Sequence, residues 1–193
     1  MDGCNIVALV SQKGGSGKTT VTMQLAVALI LHGYRVAVCD LDPQESALRW
    51  AESAPTDTPF PGRVLRLGGS VDEMTRILGP VAQHVDFILL DCPPSIEHRN
   101  TAGALDLCDL AVVPVVPSPT DLWSTRAIER LILQRMERRR DLLGGAVAQP
   151  RDAHVAGRGR TGRDARLLAS GPWCRVIAAQ RLCPERGARS FGL

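Results

Sequence analysis

Residues 11–20 read "SQKGGSGKTT", lying between a short apolar run, "NIVALVS" (5–11), and a longer one, "TTVTMQLAVALILHG" (19–33). The first run is β-branched and the second is long and stops at Gly33, so the order is strand, Gly-rich loop, helix. Such a loop turns successive backbone N–H groups into one concavity, to which the helix N-terminus adds its positive end, and this suits a phosphate. Gly14, Gly15, Ser16 and Gly17 form the cradle, Lys18 reaches the β and γ phosphates, and the hydroxyl of Thr19, followed by Thr20, suits a Mg2+ ion. The usual pattern, G-x-x-x-x-G-K-[ST], wants glycine five positions before Gly17, where this chain has Gln12. It also carries a second lysine, Lys13, which needs a reason of its own because Lys18 already serves the loop.

Outward from the loop, strand and helix patterns alternate. "RVAVCDLD" (35–42) is a buried strand with aspartates at its end, "QESALRWAESA" (44–54) has helical spacing, and "RVLRLG" (63–68) is a short strand. "SVDEMTRILGPVAQHV" (70–85) opens like a capped helix, with Ser70 followed three residues later by Glu73. "DFILLDCPPS" (86–95) and "DLAVVPVVPSP" (109–119) supply two further strands. "TDLWSTRAIERLILQRMERRRDLLG" (120–144) predicts an amphipathic helix, with Ala127, Ile128, Leu131, Ile132 and Met136 on one face. Near-continuous apolar strands alternating with helices imply an α/β fold, a mostly parallel sheet covered on both faces. Its ligand site then lies at the carboxyl ends of the strands.

Three aspartates stand at those ends. Asp91 closes a hydrophobic strand, where a carboxylate can hold Mg2+ directly or through water. Asp40 and Asp42 are two residues apart and leave on the same face if strand geometry persists. Two carboxylates beside a triphosphate suit water-mediated Mg2+ coordination for one and orientation of the attacking water for the other. The competing reading for each is a cap on the following helix.

Composition narrows the class. The 193 residues are 45% hydrophobic and 22% charged, ordinary for a globular chain, and no apolar run reaches membrane-spanning length. "MDGCNIVALV" lacks the basic flank of a signal peptide, so a cytoplasmic protein is expected. Six cysteines form no C-x-x-C pair and read as small hydrophobes. The net charge of +3 divides unevenly: residues 144–193 hold nine arginines against Asp152, Asp164 and Glu185, a balance of +6, leaving −3 on residues 1–143.

"KGGSGKTT" (13–20), "DLDPQESALRW" (40–50), "FILLDCPPS" (87–95) and "VPVVPSPTDLW" (113–123), in that order, resemble the ParA/MinD-type deviant Walker A ATPases, most of all the small plasmid and chromosome partition members. The resemblance covers residues 4 to about 143 and implies a three-layer P-loop NTPase fold binding ATP and Mg2+. It implies that Lys13 reaches across an ATP-sandwich homodimer to the partner's phosphates, that Lys18 and Thr19 hold phosphate and metal, and that Asp42 positions the hydrolytic water. Asp40 is a carboxylate near the metal and Asp91 the Walker B aspartate in the same scheme. A cation delivered by the second subunit makes hydrolysis conditional on dimerisation.

The implied activity is a weak, partner- or DNA-stimulated ATPase. It would bind DNA non-specifically, be nucleoid-associated and act in segregation or cargo positioning with a centromere-binding ParB-like or small ParG-like protein, without a membrane. The candidate DNA contacts are Arg126, Arg130, Arg135, Arg138, Arg139 and Arg140.

Two other functions are consistent with the motifs. One is an iron–sulfur electron-transfer ATPase of the nitrogenase iron protein type, with Cys92 and Cys108 as ligands. The other is a truncated or inactive remnant that keeps only the nucleotide motifs.

Residues 1–143 therefore read as an ATPase core and residues 144–193 as a divergent Arg-rich segment. After residue 143 the family pattern calls for another strand and a base-holding residue; "GGAVAQ" is a poor strand, Pro150 stops it, and no residue is assigned to the adenine. The segment reads as a basic DNA-binding end, as surface helices over "RDARLLAS" and "WCRVIAAQRL", or as sequence read out of frame.

Overall fold

The computed structural model of the chain describes residues 3–115 and 119–148. Among them six strands form one parallel sheet: β1 (Asn5–Leu9), β2 (Val36–Asp40), β3 (Arg63–Arg66), β4 (Phe87–Asp91), β5 (Leu110–Val115) and β6 (Leu143–Ala148), in the order β3-β2-β4-β1-β5-β6. Five helices connect them: α1 (Lys18–Leu31), α2 (Ser46–Glu52), α3 (Val71–Ala82), α4 (Arg99–Leu107) and α5 (Pro119–Arg138). The alternation predicts this parallel sheet covered on both faces, and the arrangement is the three-layer P-loop NTPase fold that the family resemblance implies.

Strand periodicity assigns the layers. Val7, Leu9, Val38 and Leu89 meet Met23 and Ala26 of α1 and Ala47 of α2 on one face. Ile6, Ala8, Cys39 and Leu90 meet Met74 and Leu78 of α3, Leu105 of α4, and Ile128 and Ile132 of α5 on the other. Each large aliphatic side chain so buried contributes about 1.5–3 kcal/mol. Local chemistry sets the helix ends: α1 stops before Gly33, whose φ of 85° suits glycine, and α3 begins with a complete capping box between Ser70 and Glu73.

Register brings the site together. Leu9 and Asp40 are both Cα partners of Asp91, so β1, β2 and β4 end level beside the loop that enters α1.

Four expectations change. The helix expected over 120–144 ends at Arg138, because residues 139–142 turn and Leu143 pairs with Leu110. "GGAVAQ" was too poor in side chains to read as a strand, yet Leu143–Ala148 runs parallel to β5 through six Cα pairs. Its two glycines weaken local strand preference, but pairing with β5 and packing of Ala146 and Val147 on opposite faces supply what propensity lacks. The ordered core therefore runs past residue 143, to at least residue 148. Finally, β2 ends at Asp40, so strand alternation does not govern where Asp42 points. The readings made of residues 149–193 lie outside the described residues.

Candidate nucleotide-binding site

The Gly-rich loop leaves β1 at Val10 and enters α1 at Lys18. Gly15 and Gly17 have φ of 72° and 76°, left-handed conformations that let the loop fold back on itself. A Cβ at Gly14 or Gly15 would meet nothing within 4 Å, so this side of the loop is open. Gly17 is the N-cap of α1 and brings no capping side chain, and the first turn holds no acidic residue, which leaves the helix end electrostatically positive. Thr20 lies half-buried in that first turn.

Lys18 is buried, and its Nζ donates to Ser11 Oγ at 3.1 Å. Ser11 in turn donates to the Lys13 carbonyl at 3.0 Å and lies 2.7 Å from Ser16 Oγ. A hydroxyl has one proton, so Ser16 is the donor of that pair. Ser11 thus ties the start of the loop to its end and holds the ammonium. Burial lowers the Lys18 pKa, while the charges of Asp91 and Asp42 work against that shift. Lys13 is exposed at the rim of the same loop.

Asp91 is 1% exposed and lies beneath the first turns of α1. Its Oδ2 accepts from Thr19 Oγ1 at 2.7 Å and its Oδ1 from Thr22 Oγ1 at 3.2 Å. Burial is the main reason its pKa is pushed up to about 6; Asp40 adds to the rise, and the two hydroxyls and Lys18 oppose it. A hydroxyl and a carboxylate in contact at the carboxyl edge of a sheet make a donor set suited to Mg2+.

Asp40 and Asp42 part company. Asp40 Oδ2 accepts from the backbone N–H groups of Ala47 and Leu48 at 2.8 and 3.1 Å, and its Oδ1 from that of Asp42 at 3.0 Å. Of the two readings open for Asp40, the helix cap describes this geometry: it caps α2 from the preceding strand. Burial raises its pKa, and those three N–H groups pull it back. Asp42 is half-buried beyond the strand end, and its Oδ1 accepts from Gln44 N–H at 3.0 Å.

The arginines divide too. Arg126, Arg130, Arg138 and Arg140 are exposed along and beyond α5. Arg135 pairs with Asp106, while Arg139 donates to the Asp106 carbonyl at 2.7 Å and to Asp141 at 2.6 Å, so these two tie α5 to the end of α4. Cys92 and Cys108 are buried at 1% and 0% exposure, which places neither thiol where a second subunit could share a cluster with it. Among the described residues no helix is long and apolar enough to cross a membrane.

Ser11, Thr22 and Asn100 are polar residues of the site that the motifs did not single out. Thr22 was findable: it lies one helical turn beyond Thr19 and therefore on the same face. Asn100 was not, because its partner, the Leu41 carbonyl, is 59 residues away in sequence.

Comparison with known proteins gives the family and the fold. Residues 7–157 match the model of the CobQ/CobB/MinD/ParA nucleotide binding domain. The chain belongs to this family. Among similar proteins, Maintenance of carboxysome distribution protein A of Halothiobacillus neapolitanus is 34% identical over 128 residues, covering 65% of this chain and 57% of that protein. The sporulation initiation inhibitor protein Soj of Bacillus subtilis is 28% identical over 146 residues, covering 57% of each. The alignments thus span little more than half the length of these relatives. In fold, the chain resembles cobyrinic acid a,c-diamide synthase of Mycobacterium smegmatis, solved with ADP and magnesium, with a TM-score of 0.72, 22% identity and coverage of 86% of this chain and 80% of that one.

Proposed function

We propose that this family member is an ATPase that binds ATP with Mg2+, forms an ATP-dependent sandwich homodimer, binds DNA without sequence preference, and positions or segregates a cargo. The observation that carries the reading is the meeting of Lys18, Thr19 and Asp91 at the level ends of β1 and β4, with Lys13 exposed on the same loop. Lys18 and the loop amides bind the phosphates, and the Thr19–Asp91 pair holds the metal. Bound Mg2+ supplies neutralisation of phosphate charge. Asp42 orients the attacking water. Lys13 enters the partner's site, which makes turnover wait for dimerisation.

The names of two relatives, one concerned with carboxysome distribution and one with chromosome partitioning, support a positioning or partition role; the partner in this reading is a ParB-like or small ParG-like protein. The DNA-binding surface in this reading is Arg126, Arg130, Arg138 and Arg140; Arg135 and Arg139 serve the α4–α5 contact instead. Binding through such contacts weakens steeply with salt.

The test is retention on DNA, nucleotide binding and turnover by the native chain, Lys18→Ala, Lys13→Ala and Asp42→Ala. Lys18→Ala loses nucleotide. Lys13→Ala binds it as a monomer and does not turn over, and Asp42→Ala binds it, dimerises and does not turn over. A native chain that holds DNA equally well without ATP would overturn the switch.

A further inference from the structure

The peptide unit joining Leu41 to Asp42 is held on both sides by buried side chains. Its N–H, belonging to Asp42, donates to Asp40 Oδ1 at 3.0 Å. Its C=O, belonging to Leu41, accepts from Asn100 Nδ2 at 2.8 Å. Asp40 is 1% exposed and is itself anchored by the Ala47 and Leu48 amides of α2. Asn100, 8% exposed, lies in the first turn of α4, and its Oδ1 accepts from Gly69 N–H at 3.4 Å. Space around it is tight, since a Cβ on Gly68 would stand 3.2 Å from Asn100 Nδ2. Leu41 N–H donates to the Asp91 carbonyl at 2.9 Å, so the residue before Asp42 is fixed to β4 as well.

Rotating this peptide plane would break both side-chain bonds at once and leave the Asn100 amide donor and one Asp40 oxygen without these partners. The next residue of α4 extends the connection: Thr101 Oγ1 donates to the Ser95 carbonyl at 2.7 Å, in the loop that follows Asp91. The Asp42 turn and the loop after Asp91 are thereby tied to one helix end.

We propose that Asp40 and Asn100 are positioning residues that clamp the Leu41–Asp42 peptide from opposite sides and so set where the Asp42 carboxylate stands relative to the phosphate loop. The clamp is a property of the fold; its consequence for turnover rests on the reading of Asp42 given above. It assigns Asp40 to backbone geometry and brings in Asn100, which no motif contains.

Two nearly isosteric variants of the full chain test it. Asn100→Asp keeps the acceptor for Gly69 and removes the donor to Leu41, whereas Asp40→Asn leaves one acceptor oxygen for donors that now occupy two. Gly68→Ala, which crowds Asn100 without deleting a polar group, serves if either variant does not fold. The first measurement is amide hydrogen exchange at Asp42 in the nucleotide-free protein. Exchange should accelerate at least ~10-fold in each variant, while the amides of β4 keep their protection.

The second measurement separates kcat from affinity for a non-hydrolysable ATP analogue. A misplaced water-orienting group should lower kcat at least ~10-fold and leave affinity within about 2-fold of native. A native exchange rate at Asp42 in the variants, or parallel loss of kcat and affinity, overturns the proposal. A native chain without turnover would instead count against the ATPase reading, and amide exchange would then decide the clamp alone.

Discussion

Asp91→Asn should make the nucleotide-free protein more stable at neutral pH. Burial pushes this carboxyl from its ordinary 3.8 up to about 6, which weighs about 3 kcal/mol against the charged form once the pH is above 6. Between those two values the folded chain binds more protons than the unfolded one, so this group's contribution is fully present below pH 4 and is lost as the pH rises through 6.

Asparagine removes the charge and keeps the shape. It offers Oδ1 to one of the Thr19 and Thr22 hydroxyls and Nδ2 to the other, with a loss of about 1 kcal/mol from weaker hydrogen bonds. The variant should therefore exceed the native chain by about 1–2 kcal/mol at pH 7.5, near 0.7 M in urea midpoint, and fall behind it by about 1 kcal/mol at pH 4. Urea unfolding of both proteins at the two pH values measures the gap directly, because other groups that titrate alike in both cancel from the difference. An Asp91→Asn protein less stable than native at pH 7.5, or a gap that does not move with pH, would refute the burial argument.

Two other outcomes follow from packing. Ile132 is fully buried between α5 and the sheet, and Ile132→Ala should cost about 2–4 kcal/mol by denaturant unfolding with no change in m-value. The thiols of Cys4, Cys39 and Cys108, raised to about 11, 12 and 12 by burial, should react with an alkylating agent at pH 8 at least ~100-fold more slowly in the folded chain than in urea. Cys92, also raised by burial, should behave alike, as read by site-resolved mass spectrometry.

The legible parts of this chain were those in which a short stretch carries its own physical reason. "SQKGGSGKTT" needs left-handed glycines and a helix start, and Gly15, Gly17 and α1 supply them. Ser70 and Glu73 are three residues apart, a spacing that makes a capping box without help from the rest of the fold. The β6 strand failed this test because "LGGAVA" has little side chain from which to read a pattern; its conformation comes from β5 alongside it.

Sequence by itself determined the order of elements apart from α4 and β6, the family and the phosphate loop, because hydrophobic period, glycine backbone freedom and residue type are local properties. Only the tertiary structure decided what surrounds each aspartate. Asp40, Asp42 and Asp91 are alike as residues at strand ends, but Asp91 falls under two threonines of α1, Asp40 meets the amides of α2, and Asp42 lies past the strand in a turn. Asn100 entered the site in the same way, across 59 residues, because the parallel sheet sets its carboxyl ends level and the helix ends converge there. A carboxylate's chemistry depends on which donors and charges surround it, and those neighbours are brought together by strand register and helix packing.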